Sequence, residues 1–320
     1  MKVGILKLQP IGKDYIWGGN RLNEEFGKNI FSTPLAETWE CSTHKDGLSI
    51  IKQGEFKGKT LKEVIDLYPE ILGSKFLGKD LPILIKFIDA KEDVSVQVHP
   101  DDNFAMQNEN QLGKTEMWYI VDAKEDASLV LGFTHPVDEK ILKNAVETKS
   151  LDKHLRRIKV KKGECYFVPA GTVHGIGKGT LIAEIQESSN VTYRIYDYDR
   201  IDKNNNKRKL DFENALKVMD MKVYPDIKKK TRLVNFFVGT KTEVICRCEY
   251  FEVKKIETVK EYSFTVLDTS FQSLLCIEGE GCLENNGEEI ALKKGDCLFI
   301  PASKGECKIK GKITLLKVKC

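Results

Sequence analysis

The sequence predicts a mainly β protein, built from two copies of one small β-barrel or sandwich module and carrying helical inserts. Three observations predict it. Short runs rich in β-branched and aromatic residues recur between Gly, Pro and Asp: LPILIKFID, VSVQVH, EMWYIVD, SLVLGF, ECYFVPA, TLIAEIQES, CLFIPA and ITLLKVK. Residues 161–170, KKGECYFVPA, return as KKGDCLFIPA at 293–302 with seven of ten positions identical, which marks two copies of one module. Helical spacing breaks the strand pattern at Leu61 to Leu72, near Val137 to Leu155 and at Leu210 to Met219.

In the repeat, Gly163 and Gly295 permit the turn before a strand, and Pro169 and Pro301 end that strand at an edge. The copies then diverge, GTVHGIG against SKGECKI, so that Glu306 stands where the first copy has His174. The expected division is a metal-binding catalytic module over 1–225 and a second, metal-free module over 226–320, separated by the lysine-rich stretch around Asp226 to Thr231.

Composition narrows the function classes. The 320 residues include 51 basic and 48 acidic ones without a basic tract, which argues against nucleic acid as a partner. No stretch approaches the roughly 18 apolar residues of a membrane span, and the N-terminus has no secretory pattern, so a cytoplasmic location is expected. Nine cysteines, an odd number without a CxxC pair, read as reduced thiols. Cys246 and Cys248 share a face of the run TEVICRCEYFEV, an arrangement better explained by packing than by a metal.

The chemistry-bearing residues lie in the first copy. In VSVQVHPDD, alternation puts Ser95, Gln97 and His99 on one face and Val94, Val96 and Val98 on the other; taken alone this reads as an amphipathic strand with its polar side in solvent, whereas a polar side lining a barrel interior makes Gln97 and His99 two ligands on one element. GKTEMWY puts Lys114, Glu116 and Trp118 on one face, and His174 follows the repeated Pro. Two imidazoles, a carboxylate and an amide suit zinc with a coordination position left open, although iron or manganese would fit the same set. His44, His135 and His154 lack such partners and read as structural.

The phrase G-[DE]-x-x-x-[VI]-P, at Gly163 and again at Gly295, resembles a conserved motif of the cupin superfamily of small jelly-roll β-barrels. The motifs SVQVHPDD, GKTEMWY, GECYFVPAGTVHGIG and ESSNVTYRIYDYDR, in that order from Lys86 to Arg200, resemble type I mannose-6-phosphate isomerases, specifically their short bacterial form, and KDYIWGG adds a weaker echo. That resemblance implies two cupin modules and a zinc-dependent aldose–ketose isomerase acting on a sugar phosphate, with no obligate protein partner. It implies one zinc ion per chain, on Gln97, His99, Glu116 and His174, and a catalytic Arg194, with Lys114 and Glu184 also at active-site positions. Lys86 and Ser95 match positions at the phosphate end of the cleft, and Trp17 is expected as a cleft wall or as core.

The chemistry agrees, because moving a proton between C1 and C2 needs a base, a stabiliser for the oxyanion and an anchor for the phosphate. Arg194 read by itself is equally a strand-edge arginine paired with Asp197 or Asp199, and Lys86 a lysine snorkelling from an apolar strand. GEFKGKTLKEVI is not a phosphate loop, since three residues separate Gly54 from Gly58 where four are needed. HGIGKGT leads into a strand and not into the helix of a dinucleotide site. A different metal cupin enzyme, such as an iron oxygenase, has no use for Lys86, Ser95 and Arg194. A sugar-phosphate-binding regulator has no need of an intact ligand set.

Overall fold

Residues 3–202, 204–223 and 233–320 are described by the structure, a computed structural model. The strand runs form where the alternation put them: Ile83–Ala90, Val96–Val98, Glu116–Ala123, Ser128–Phe133, Cys165–Val168, Thr180–Glu187 and Cys297–Ile300. The last run extends into the 15-residue strand Gly305–Lys319. Val94 precedes its strand and packs inward, away from Val96 and Val98.

Three antiparallel sheets result. A six-stranded sheet runs Cys165–Val168, Glu116–Ala123, Thr180–Glu187, Ile83–Ala90, Glu37–Cys41, Ile11–Lys13. A five-stranded sheet runs Tyr193–Tyr196, Val96–Val98, His174–Ile176, Ser128–Phe133, Leu155–Lys159. A ten-stranded sheet holds the strands after Val234 and also takes in Leu6–Gln9 and Ile50–Ile51 from the chain's beginning, Leu6 pairing with Phe299.

The six-stranded sheet lies in the middle, because alternate residues of its strands serve two cores. Ile88, Ala90, Trp118, Ile120 and Ile182 meet Val94, Leu129, Leu131 and Ile176 of the five-stranded side. The opposite parity, including Ile85, Phe87, Met117, Tyr119 and Ile185, meets Phe271, Leu275, Phe299 and Val318 of the ten-stranded sheet. Both faces are covered, so Ile83–Ala90 and Thr180–Glu187 are buried at every position.

The expected helical inserts are present. Leu61–Leu67 begins with a capping box, Thr60 and Glu63 each accepting from the other's backbone N–H. Glu139–Glu147, capped by Asp138, and Phe212–Val218 bury Leu142, Ala145 and Ala215 against Val96 and Val98 on the outer face of the five-stranded sheet. Arg21–Phe26 and Asp102–Glu109 are additional helices.

The expectation of closed barrels is corrected: among the described residues every sheet is open. The six- and five-stranded sheets meet through side chains rather than through a hydrogen-bonded seam. The ten-stranded sheet curls instead of closing. Both ends of Gln272–Asn285 and of Gly305–Lys319 contribute to one core, with Leu274 and Leu283, Ile309 and Leu315 in the same cluster. At the bend Gly279 has φ +80°, and a Cβ there would meet the Lys312 carbonyl oxygen at 2.2 Å. The expected boundary between residues 225 and 226 lies outside the described residues.

Candidate active site

Strand register assembles the site from two facing rows. Across the middle sheet, Trp39 pairs with Lys86, Lys86 with Glu184 and Glu184 with Trp118, so the four side chains share the face turned toward the five-stranded sheet. The Lys86 ammonium sits 3.4 Å from Glu184 Oε1 and 3.5 Å from Glu37 Oε2, above the Trp39 ring. Trp118 Nε1 donates to Glu184 Oε2 at 2.8 Å, and Trp39 Nε1 donates to Glu37 at the same distance.

In the five-stranded sheet, Arg194 pairs with Gln97 and Gln97 with His174. Arg194 Nε donates to Ser95 Oγ at 3.1 Å, and one Nη donates to the Lys209 carbonyl. His99, Glu116 and His174, all buried, bring ligand atoms within 4.8 Å of one another. His174 Nε2 is 3.3 Å from Glu116 Oε1, and His99 Nε2 is 3.7 Å from Glu116 Oε2. Lys114 Nζ stands 3.1 Å from His99 Nε2 and 3.4 Å from Glu116 Oε2.

The protonation pattern suits a metal. Each Nδ1–H donates to a backbone carbonyl at 2.8 Å, His99 to Val191 and His174 to Thr172, which leaves both Nε2 lone pairs facing Glu116. Burial holds both imidazoles neutral, His99 well below its ordinary range and His174 at about 4. Burial likewise pushes Glu116 up to about 8, although Lys114 pulls the other way, and both of its oxygens lack a hydrogen-bond partner. A buried carboxyl group without a hydrogen-bond partner, beside two imidazole lone pairs, is the arrangement a cation relieves. Gln97 Nε2 lies 3.4 Å from His174 Nε2; exchanging the amide's N and O turns its oxygen toward the cluster, and the Ser95 hydroxyl then accepts where it now donates.

Beside this cluster Glu184 is held ionised. Burial alone would raise it, but Lys86, Lys114 and the Trp118 and Lys86 hydrogen bonds together bring it below the usual carboxylate value. Lys86 is the counterpart, lowered by burial and raised further by Glu37 and Glu184. Among the described residues Cys246 and Cys248 join no metal-type cluster.

A family model of the type I phosphomannose isomerase catalytic domain matches residues 5–136, and one of the mannose-6-phosphate isomerase cupin domain matches 240–320. The probable mannose-6-phosphate isomerase GmuF of Bacillus subtilis is 40% identical over 311 residues, 96% of either chain. The chain belongs to the type I phosphomannose isomerase family. The mannose-6-phosphate isomerase of Streptococcus mutans is 37% identical over 290 residues, 89% of either chain. The crystal structure of the Bacillus subtilis mannose 6-phosphate isomerase superimposes with a TM-score of 0.90 at 37% identity, covering 99% of both chains.

In this phosphomannose isomerase family member, nine of the expected site residues gather between the two sheets: Lys86, Ser95, Gln97, His99, Lys114, Glu116, His174, Glu184 and Arg194. Trp17 is buried in the apolar cluster between those sheets, stacked on Tyr15 at 5.7 Å. Sequence reasoning missed Glu37 and Trp39, which hold Lys86, and Tyr15, whose hydroxyl senses the charges of Glu37, Lys86 and Arg194 and is raised, first by burial, to about 12. Tyr15 lay within KDYIWGG, so the signal was present; Glu37 and Trp39 needed the strand register.

Proposed function

We propose that the chain interconverts D-mannose 6-phosphate and D-fructose 6-phosphate by moving a proton between C1 and C2 through an enediol. The observation that carries this reading is an ionised buried carboxylate, Glu184, next to the buried His99–Glu116–His174 cluster, in a member of this isomerase family. A single zinc ion held by Gln97, His99, Glu116 and His174 would supply Lewis-acid polarisation of the sugar's O1 and O2.

The protein's own groups divide the remaining work. Glu184 Oε1, which faces the Lys86 ammonium at 3.4 Å, takes the C2 proton of the aldose and returns it to C1. Lys86 keeps Glu184 ionised and adds positive charge to substrate binding, with Ser95 as donor. Lys114 donates toward the oxygen that gains charge in the enediol, and Arg194, held at Nε and one Nη, offers its second Nη to the same negative charge. Trp17 backs the Tyr15 ring that walls the cleft.

The proposal extends to organisation: a catalytic cupin module over 1–225 and a second over 226–320, whose sheet borrows Leu6–Gln9. The second has an apolar interior, and Glu306, opposite His174 in the repeat, is exposed. Among the described residues no helix is long and apolar enough to cross a membrane, and we assign the enzyme to the cytoplasm with no obligate protein partner.

The test is mannose 6-phosphate in D2O, followed by NMR over many turnovers. Fructose 6-phosphate carrying deuterium at C1 is expected. Product that forms without deuterium would replace the enediol by a hydride shift, and no product would sink the isomerase reading.

A further inference from the structure

A second cleft, of about 460 Å³, opens in the ten-stranded sheet, away from the active site. Its floor is Lys317, only 7% exposed. The Lys317 ammonium donates to Gln272 Oε1 at 2.9 Å and lies 5.1 Å from the centre of the Phe264 ring. Gln272 Nε2 donates to the Thr265 carbonyl, which fixes the amide oxygen toward the lysine. Among the described residues no carboxylate comes within ion-pair distance of Lys317 or of Lys75 on the rim.

A buried ammonium without a counter-charge is costly, and its neighbours worsen the cost. Burial first, then Lys254 and Lys319, depress it to about 8. Arg247 and Lys319 also line the cleft; both lean on one carboxylate, Glu252, which leaves their positive charge in excess, and Glu249 is the other acid in the lining. Thr269 and Ser270 complete the lining, the Ser270 hydroxyl donating to the Phe271 carbonyl. An anion rich in acceptor oxygens would give the buried ammonium the counter-charge it lacks.

We propose that this cleft binds a small phosphate-bearing anion, with Lys317 as its anchor and Lys75, Arg247 and Lys319 supplying the surrounding charge. No residue is shared with the isomerase site, so the proposal stands apart from the catalytic reading.

The metal-loaded full chain is titrated calorimetrically with inorganic phosphate and, separately, with glycerol phosphate, the tighter of the two naming free phosphate or a phosphate ester as the source. Lys317→Met is expected to remove one binding event, and the more exposed Lys319→Met, which also covers a folding failure of the first variant, to weaken it at least tenfold. Thermal unfolding confirms that the variants are folded. Binding in both variants equal to the parent's, or no event beyond the one that mannose 6-phosphate displaces, overturns the proposal.

Discussion

At the residue scale the site works by opposed environments. Glu116 and Glu184 share one buried face, yet burial holds Glu116 up at about 8 while Lys86 and Lys114 hold Glu184 ionised. On the proposed mechanism Arg194 acts through its second Nη, so Arg194→Ala is expected to lower kcat by roughly 100- to 1,000-fold, the usual cost of losing an oxyanion donor. Arg194→Lys should recover only a small part of that, since a lysine cannot hold Ser95 and the Lys209 carbonyl together. Steady-state kinetics of the two variants read this directly. Glu187 is a separate case. Burial raises it from 4.5 to about 8 while its Oε2 accepts the Thr115 N–H, with Asp102 close by. Its folded value lies above its unfolded one, so its contribution to stability is greatest below pH 4.5 and is lost as pH rises through 8. Glu187→Gln should therefore raise Tm at pH 8.5 and leave it nearly unchanged at pH 4.5; a Tm gain of equal size at both pH values would contradict this. These residues differ in how legible they were. Gln97 and His99 stood out because polar side chains alternate with valines, His174 because it follows the repeated Pro, and Glu116 because it shares a face with Lys114 and Trp118 in GKTEMWY. Glu37 and Trp39 did not, because only their pairing with Ile83–Ala90 brings them to Lys86.

At the element scale, strands were legible where alternation or a continuous apolar run was bounded by turns, as in Ser128–Phe133. Arg21–Phe26 and Asp102–Glu109 escaped because they are short and bury only Leu22, Phe26 and Ala105. TEVICRCEYFEV was read as one strand-like run, but it is parts of two, Thr240–Arg247 and Glu252–Thr258, joined by a turn at its centre. Two tests belong here. Removing the capping box with Thr60→Ala should cost about 1 kcal/mol in urea unfolding, because an N-terminal donor of Leu61–Leu67 loses its acceptor. Gly279 and Gly287 have nearly equal φ, +80° and +82°, but only Gly279 faces a backbone oxygen. Gly287→Ala should cost about 1 kcal/mol for the left-handed backbone alone, and Gly279→Ala distinctly more, since the curled sheet would have to open. Equal losses would show that the close approach at Gly279 is not what sets its identity.

At the scale of the whole molecule, the six-stranded sheet is covered on both sides, which explains how a row of charges survives in its middle. The apolar layers around Trp118 and Phe87 exclude water, and Lys86 pairs with both Glu37 and Glu184 inside them. The repeat at 161–170 and 293–302 announced two related strands, but not that the first would join the middle sheet while the second would pair with Leu6–Gln9 from the chain's beginning. Long-range pairing of that kind leaves no local pattern, and neither does the choice between a closed barrel and facing sheets. The central claim is that catalysis depends on a metal held between those sheets. Its most direct test is the turnover of mannose 6-phosphate before chelation, after chelation and after zinc is added back, with His174→Ala beside the parent. The account predicts loss of turnover on chelation, recovery with zinc in the parent and none in the variant. Undiminished turnover after complete metal removal, or a His174→Ala variant as active as the parent, would contradict it.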